Sequence, residues 1–252
     1  MRFASLGSGS DGNGLVVEAG ATRVLMDCGF GLADSAARLA RLGLQVCDLT
    51  GIVVTHEHGD HIGGVGRLAR KYKLPVWLTA GTLAMAQDLG GVAVHVIDSH
   101  AAFVLDDLEI QPYPVPHDAR EPVQYVFGDG NRRLGVLTDT GSHTPHIEAM
   151  LAGVDALVLE CNHDAEMLEN GPYPVSLKRR VGGRFGHLEN GQSAALLEKL
   201  KHDKLQCVMA AHVSQRNNTA ALAQRALARV LGCADGDVRV ACQATGFDWI
   251  RI

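Results

Sequence analysis

The chain has 252 residues, 46% apolar and 20% charged, with a formal net charge of −5. That composition builds a core and excludes a disordered chain, and no run reaches the roughly 20 apolar residues of a membrane helix. Mild acidity leaves no face-wide basic surplus for bulk nucleic-acid binding, and 5% aromatic residues argue against a single-strand stacking platform; a local site stays open.

In chain order, short β-like runs are expected at residues 2–6, 14–18, 23–27 and 51–55. Between them, residues 32–42 carry apolar residues at helical spacing and end on Gly43, a C-cap signal. A second helix is expected after Asp60, running to Tyr72 and stopped before Pro75. Strands follow at 76–78, 93–97, 102–105, 109–114, 124–127, 133–138 and 155–160. Residues 193–200 read as a helix opened by Asn190, 206–210 as a strand and 219–231 as a helix. With no linker, repeat or low-complexity stretch, the expectation is one α/β domain over residues 1–252.

The six cysteines form no CxxC pair, and the opening MRFASLGSGSDG meets glycine and aspartate too early for a signal-peptide core. A cytoplasmic location with free thiols is the expectation. The unusual count is twelve histidines. Apolar runs end directly on polar residues at four places: Thr55-His56 after 52–54, Thr138-Asp139 after 134–137, Glu160 after 156–159 and His212 after 207–211. A sheet holds such ends rigidly yet leaves them open to solvent, so they are natural positions for a site.

The strongest signal is Thr55-His56-Glu57-His58-Gly59-Asp60-His61. Imidazole nitrogen and carboxylate oxygen are ligands for zinc and similar first-row metals. In an extended stretch His56 and His58 project to one side and reach one ion, whereas Asp60 and His61 open the next helix and reach another. Glu57 alternates away and is expected either to be solvated or to support the ligands from behind. Gly63 and Gly64 allow close backbone approach.

This cluster resembles the HxHxDH hallmark of the metallo-β-lactamase-fold hydrolases. The resemblance implies a four-layer αββα sandwich with two divalent ions per chain at the edge between its sheets. It further implies His56, His58 and His117 on one ion, Asp60, His61 and His212 on the other, and Asp139 bridging them. Thiolate-free ligation of this kind admits Zn or Mn, with Fe also allowed. Two such ions acidify a bridging water, so a metal-bridging hydroxide is the implied nucleophile and Asp60 counts among the catalytic groups. Flavin-linked di-iron members of the fold carry Glu where this chain has His58, which favours hydrolysis. Residues 140–211 leave no room for a β-CASP insertion.

Six short motifs in order narrow the resemblance: Ser8 to Asn13, Asp27-Cys28-Gly29, Val115 to Ala119, Asn162-His163-Asp164, Gly186 to Asn190, and His212-Val213-Ser214 followed by Asn217-Asn218. Together they look like the YycJ/WalJ group, related to tRNase Z, and so imply a 5′–3′ DNA exonuclease. Glu189 stands where a small Ser is expected. By the same resemblance Glu160 pairs with His187, which protonates the leaving alkoxide; a carboxylate partner favours a protonated imidazole. Ser8, Asn13, His163 and Asn218 are candidate phosphate contacts. Lys178, Arg179, Arg180 and Arg184 reverse the local charge and could hold a polynucleotide backbone. Asp27 is expected to support the metal loop by hydrogen bonding, with Asp118 close behind the ligands. DNA is the expected partner and a membrane is not; a second subunit completing the basic loop is left open. The alternative on the same core is a thioesterase or small-molecule metallohydrolase.

Overall fold

The computed structural model describes residues 1–252. The first half forms β1 (Arg2–Gly7), β2 (Gly14–Ala19), β3 (Thr22–Met26), α1 (Leu32–Arg41), β4 (Gly51–Val53), α2 (Gly59–Ile62), α3 (Val65–Tyr72), β5 (Val76–Thr79), α4 (Ala80–Met85) and β6 (Val94–Ile97). The second half forms β7 (Phe103–Leu105), β8 (Leu108–Pro114), β9 (Val123–Gly128), β10 (Arg133–Leu137), α5 (Pro145–Leu151) and β11 (Ala156–Glu160). It continues through α6 (Ala165–Asn170), α7 (Val175–Val181), α8 (Asn190–Leu200), β12 (Cys207–Ala211), α9 (Ala220–Leu231), β13 (Arg239–Val240) and β14 (Phe247–Arg251).

Two seven-stranded sheets result, ordered β14-β1-β2-β3-β4-β5-β6 and β7-β8-β9-β10-β11-β12-β13. Both follow one plan: three antiparallel pairings, then three parallel ones. Strand alternation assigns the layers. On β3, Val24 and Met26 face the inter-sheet core, while Leu25 faces the outer layer with Leu39 of α1 and Leu68 of α3. On β11, Ala156 and Val158 face the inter-sheet core, while Leu157 and Leu159 pack with Ile147, Leu196 and Leu227 of the helices. The molecule is therefore an αββα sandwich.

The differences from the sequence-based expectations are local. The helix after Asp60 is two helices, broken at Gly63-Gly64. A Cβ on Gly64 would stand 1.9 Å from the Phe30 carbonyl oxygen, so this turn lies directly on the loop after β3. Helix α8 is opened by Glu189, not Asn190: the Glu189 carboxylate accepts from the Gly191 and Gln192 amides at 2.9 Å. Glu189 thus does the capping work for which Ser is the commoner choice, with its negative charge at the favourable helix end. Helices α4 to α7 and strands β13 and β14 escaped the pattern search, because all are short and half-exposed or pair only at an edge. No helix is long and apolar enough to cross a membrane.

Candidate metal centre

The C-terminal ends of the parallel strands meet at one edge of the sandwich, where α/β sheets generally place their ligand sites. Asp27 follows β3, the His56–His61 segment follows β4, Asp139 follows β10, Glu160 ends β11 and His212 follows β12. His117 arrives from the loop after β8. Three of these residues have left-handed backbones, Asp27 at φ 60°, Asp139 at φ 52° and His212 at φ 52°. Such geometry costs roughly 1–3 kcal/mol per residue and persists only where surroundings enforce it.

Hydrogen bonds define the tautomers of the first histidine group. Thr55 Oγ1 donates to Asp27 Oδ2 at 2.8 Å, so it accepts from His56 Nδ1 at 2.9 Å. His117 Nδ1 donates to the Gly186 carbonyl at 3.1 Å. Both rings therefore offer bare Nε2 atoms, and both face His58 Nδ1, at 3.1 Å from His56 and 3.2 Å from His117. Burial, followed by neighbouring histidine charge for His56, pushes both His56 and His117 below the usual imidazole value. Converging lone pairs of this kind repel one another and suit a cation.

The second group is charged in the metal-free protein. Asp60 Oδ2 lies 3.4 Å from His61 Nε2 and 3.7 Å from His212 Nε2. Asp139 lies 3.3 Å from His61 Nε2 through Oδ2 and 3.2 Å from His212 Nε2 through Oδ1. Burial alone would lower His212, but Asp139 and Asp60 outweigh it and hold the ring at about 9. His61 is raised the same way, with burial opposed by Asp139 and Asp27. Burial pushes Asp60 and Asp139 up, yet the facing histidines bring both well below the usual carboxylate range. Even so, Asp139 Oδ2 and His212 Nε2 are buried with no aligned hydrogen bond. Buried polar atoms are normally paired, so two such unpaired atoms within one cluster of histidines and carboxylates fit a cation-binding site. Ligand atoms within 4.8 Å of one another group as His56/His58/His117, Asp60/His61/His212 and His56/His61/Asp139. Asp139, Glu160, His187 and His212 form a further such group, but Glu160 Oε1 is already engaged by His187 Nδ1 at 2.7 Å.

Supporting residues surround the ligand atoms. Asp27 accepts from the Thr55 amide and from His61 Nδ1, each at 2.8 Å. Asp118 bonds Arg180 Nε and lies 3.5 Å from His117 Nε2. Glu57, half-buried, takes the supporting place: it accepts from the Arg120 amide at 2.7 Å and so ties the motif to the loop after His117.

Ser8, Asn13, His163 and Asn218, expected as phosphate contacts, are each at most 8% exposed and bonded within the protein. Ser8 Oγ accepts from the His212 amide at 2.9 Å. Asn13 Nδ2 bonds Asp60 Oδ2 at 3.2 Å and the Gly9 carbonyl at 2.9 Å. Asn218 exchanges amide bonds with Asn190 at 2.9 and 3.0 Å. His163 packs under the α7 loop, its Nδ1 near Asn162 Oδ1 at 3.3 Å. These residues build the site from behind. Of the basic residues, Lys178 bonds the Glu169 carbonyl and Arg180 bonds Asp118, whereas exposed Arg179 and Arg184 have no ion pair.

This arrangement belongs to a known class. The chain is a member of the beta-lactamase superfamily domain family, whose model matches residues 22–212, and so of its metal-dependent hydrolases. Within it, the exodeoxyribonuclease YycJ of Bacillus anthracis is 37% identical over 235 residues, covering 92% of this chain and 89% of that protein. The exodeoxyribonuclease WalJ of Streptococcus pneumoniae is 31% identical over 246 residues, covering 95% and 91%. Among solved structures, the metallo-beta-lactamase fold protein YhfI from Bacillus subtilis superposes with a TM-score of 0.78 at 16% identity, over 99% of this chain and 98% of YhfI.

Proposed function

We propose that this protein is a two-metal exodeoxyribonuclease that hydrolyses DNA from the 5′ end. The observation that carries the reading is the Glu160–His187 pair, Oε1 to Nδ1 at 2.7 Å, set beside the metal centre. His187 Nδ1 is 3.7 Å from Asp139 Oδ1, and its ring stacks on His212 at 5.2 Å. The names of the relatives YycJ and WalJ support the substrate class.

In this reading His56, His58 and His117 would hold one ion and Asp60, His61 and His212 the other, with Asp139 available to both. When bound, Zn or Mn ions (Fe is also admitted by the donor set) neutralise phosphate charge and acidify water. The chain does the rest. Glu160 is fully buried and receives the Thr140 and Leu188 amides on Oε2, each at 3.1 Å, so its position is preset. Its Oε1 engages His187 Nδ1, which leaves Nε2 to pass a proton to the departing alkoxide. Arg179 and Arg184 hold the phosphates that lead into the cleft, and Arg180, steadied by Asp118, lies between them in sequence.

DNA labelled at the 5′ or the 3′ end, incubated with Mn²⁺- or Zn²⁺-loaded protein, tests this. Early release of a labelled mononucleotide from the 5′-labelled strand alone is expected. No cleavage with either ion would overturn the nuclease reading. Turnover of S-lactoylglutathione without cleavage of DNA would favour a thioesterase.

A further inference from the structure

One residue beside His187 is unexplained by any of this. Phe185 is 60% exposed, the one aromatic residue among the exposed large apolar side chains. An exposed ring forgoes the burial its size offers, so the fold gains little from it. Its setting is a tight turn, Gly183-Arg184-Phe185-Gly186, closed by the Gly186 amide on the Gly183 carbonyl at 2.9 Å. Arg184 and Phe185 are the two corner residues, and both are exposed.

The turn is pinned from three sides. Ser142 Oγ donates to the Arg184 carbonyl at 3.3 Å, and the His187 amide donates to the Val181 carbonyl at 2.8 Å. The Gly186 carbonyl accepts from His117 Nδ1 at 3.1 Å, which couples the turn to an imidazole of the metal centre. Glycine is required for this closeness. A Cβ on Gly186 would stand 2.1 Å from the Arg180 carbonyl oxygen, and one on Gly141 would stand 2.4 Å from the Arg184 carbonyl carbon. The ring is therefore presented by a preset backbone, two residues from the His187 that flanks the cleft.

We propose that Phe185 is a stacking platform for the nucleobase next to the scissile phosphate, with the Arg184 guanidinium on the adjoining phosphate. The proposal rests on the phosphodiesterase reading above and names its substrate contact, a single-stranded DNA end. Every base offers a π-face, so a ring here grips any sequence. A positive neighbour and no acid between residues 177 and 186 match a polyanion. The low aromatic content of the chain spoke against a single-strand stacking platform and left a local site open; one ring at a turn is such a site.

The test uses metal-loaded protein and single-stranded DNA with cleavage-resistant phosphorothioate linkages and 2-aminopurine near the 5′ end. Wild type is expected to quench the 2-aminopurine, and Phe185→Ala to lose the quench. Alanine should weaken binding roughly 5- to 150-fold, the range for one stacked base, while Phe185→Trp retains it. An abasic position should weaken wild type by a similar factor and leave Phe185→Ala unchanged, which a merely structural role would not produce. Tight binding by wild type, with Phe185→Ala equal to it in affinity and abasic discrimination, would overturn the proposal alone. Failure of wild type to bind or cleave DNA would overturn the nuclease reading and the proposal together.

Discussion

Asp27 Oδ2 lies 2.8 Å from His61 Nδ1 and thereby fixes which nitrogen of that ring faces the metal centre. A carboxylate behind a metal-binding imidazole orients the ring and raises its basicity, and losing such a partner typically costs about 10- to 100-fold in metal affinity. Asp27→Asn is predicted to weaken metal binding by about that factor. Asparagine tolerates the left-handed backbone at φ 60°, so the fold should survive. Competition with a chromophoric chelator measures the change, and unaltered affinity would remove Asp27 from this role.

His58 and His187 should separate metal holding from proton transfer. His58→Ala is predicted to lose metal and activity together, because His58 Nδ1 is the atom that the His56 and His117 Nε2 atoms both face. His187→Ala should retain its metal content by elemental analysis and lose about 10²- to 10⁴-fold in kcat, the usual worth of a positioned acid. Full turnover in His187→Ala would refute its role as the acid.

Ser8→Ala distinguishes a structural from a substrate role. Its hydroxyl accepts from the His212 amide at 2.9 Å in a buried setting. Removal is predicted to destabilise the protein by about 1–3 kcal/mol through an unsatisfied amide. Thermal melting reads the loss. A raised KM with unchanged stability would instead restore Ser8 as a phosphate contact.

The 56–61 cluster could be read from residue types, because metal chemistry favours histidine and carboxylate, whereas His117, Asp139 and His212 were implied by the family resemblance. The dense segment 56–61 and the lone residues 117, 139 and 212 do converge; the strands showed as short apolar runs, and their pairing into two sheets was implied by the resemblance. What pattern could not show was direction. Ser8, Asn13, His163 and Asn218 are polar and buried, and their side chains bond backbone groups or, for His163, the Asn162 side chain. Nor does sequence reveal a left-handed Asp139 or His212, since neither is glycine. Phe185 was hidden for another reason: apolar residues are assumed to be core until exposure shows otherwise.

The metal-free protein should lose stability as pH rises. His212 is held at about 9 in the folded state, against about 6.5 when unfolded. Because the folded value is the higher one, its contribution is complete below about pH 6.5 and is lost as pH climbs through about 9. His61 shifts in the same direction. His56 and His117 are lowered by burial, so their contribution is already complete above about pH 6.5 and does not offset the loss. Melting of chelator-treated protein should therefore fall between about pH 6.5 and 9. Metal binding displaces the His61 and His212 protons, so stabilisation by added Zn²⁺ should grow over the same window. A chelated protein whose melting temperature rises across that range would contradict the charge assignment.

The central claim is a paired-ion centre, and anomalous diffraction from Mn²⁺-soaked crystals tests it most directly. Two peaks about 3.5–4 Å apart are predicted, one among His56, His58 and His117, the other among Asp60, His61 and His212, with Asp139 between them. No peak at either histidine group, or a single peak coordinated by Glu160 and His187, would contradict it.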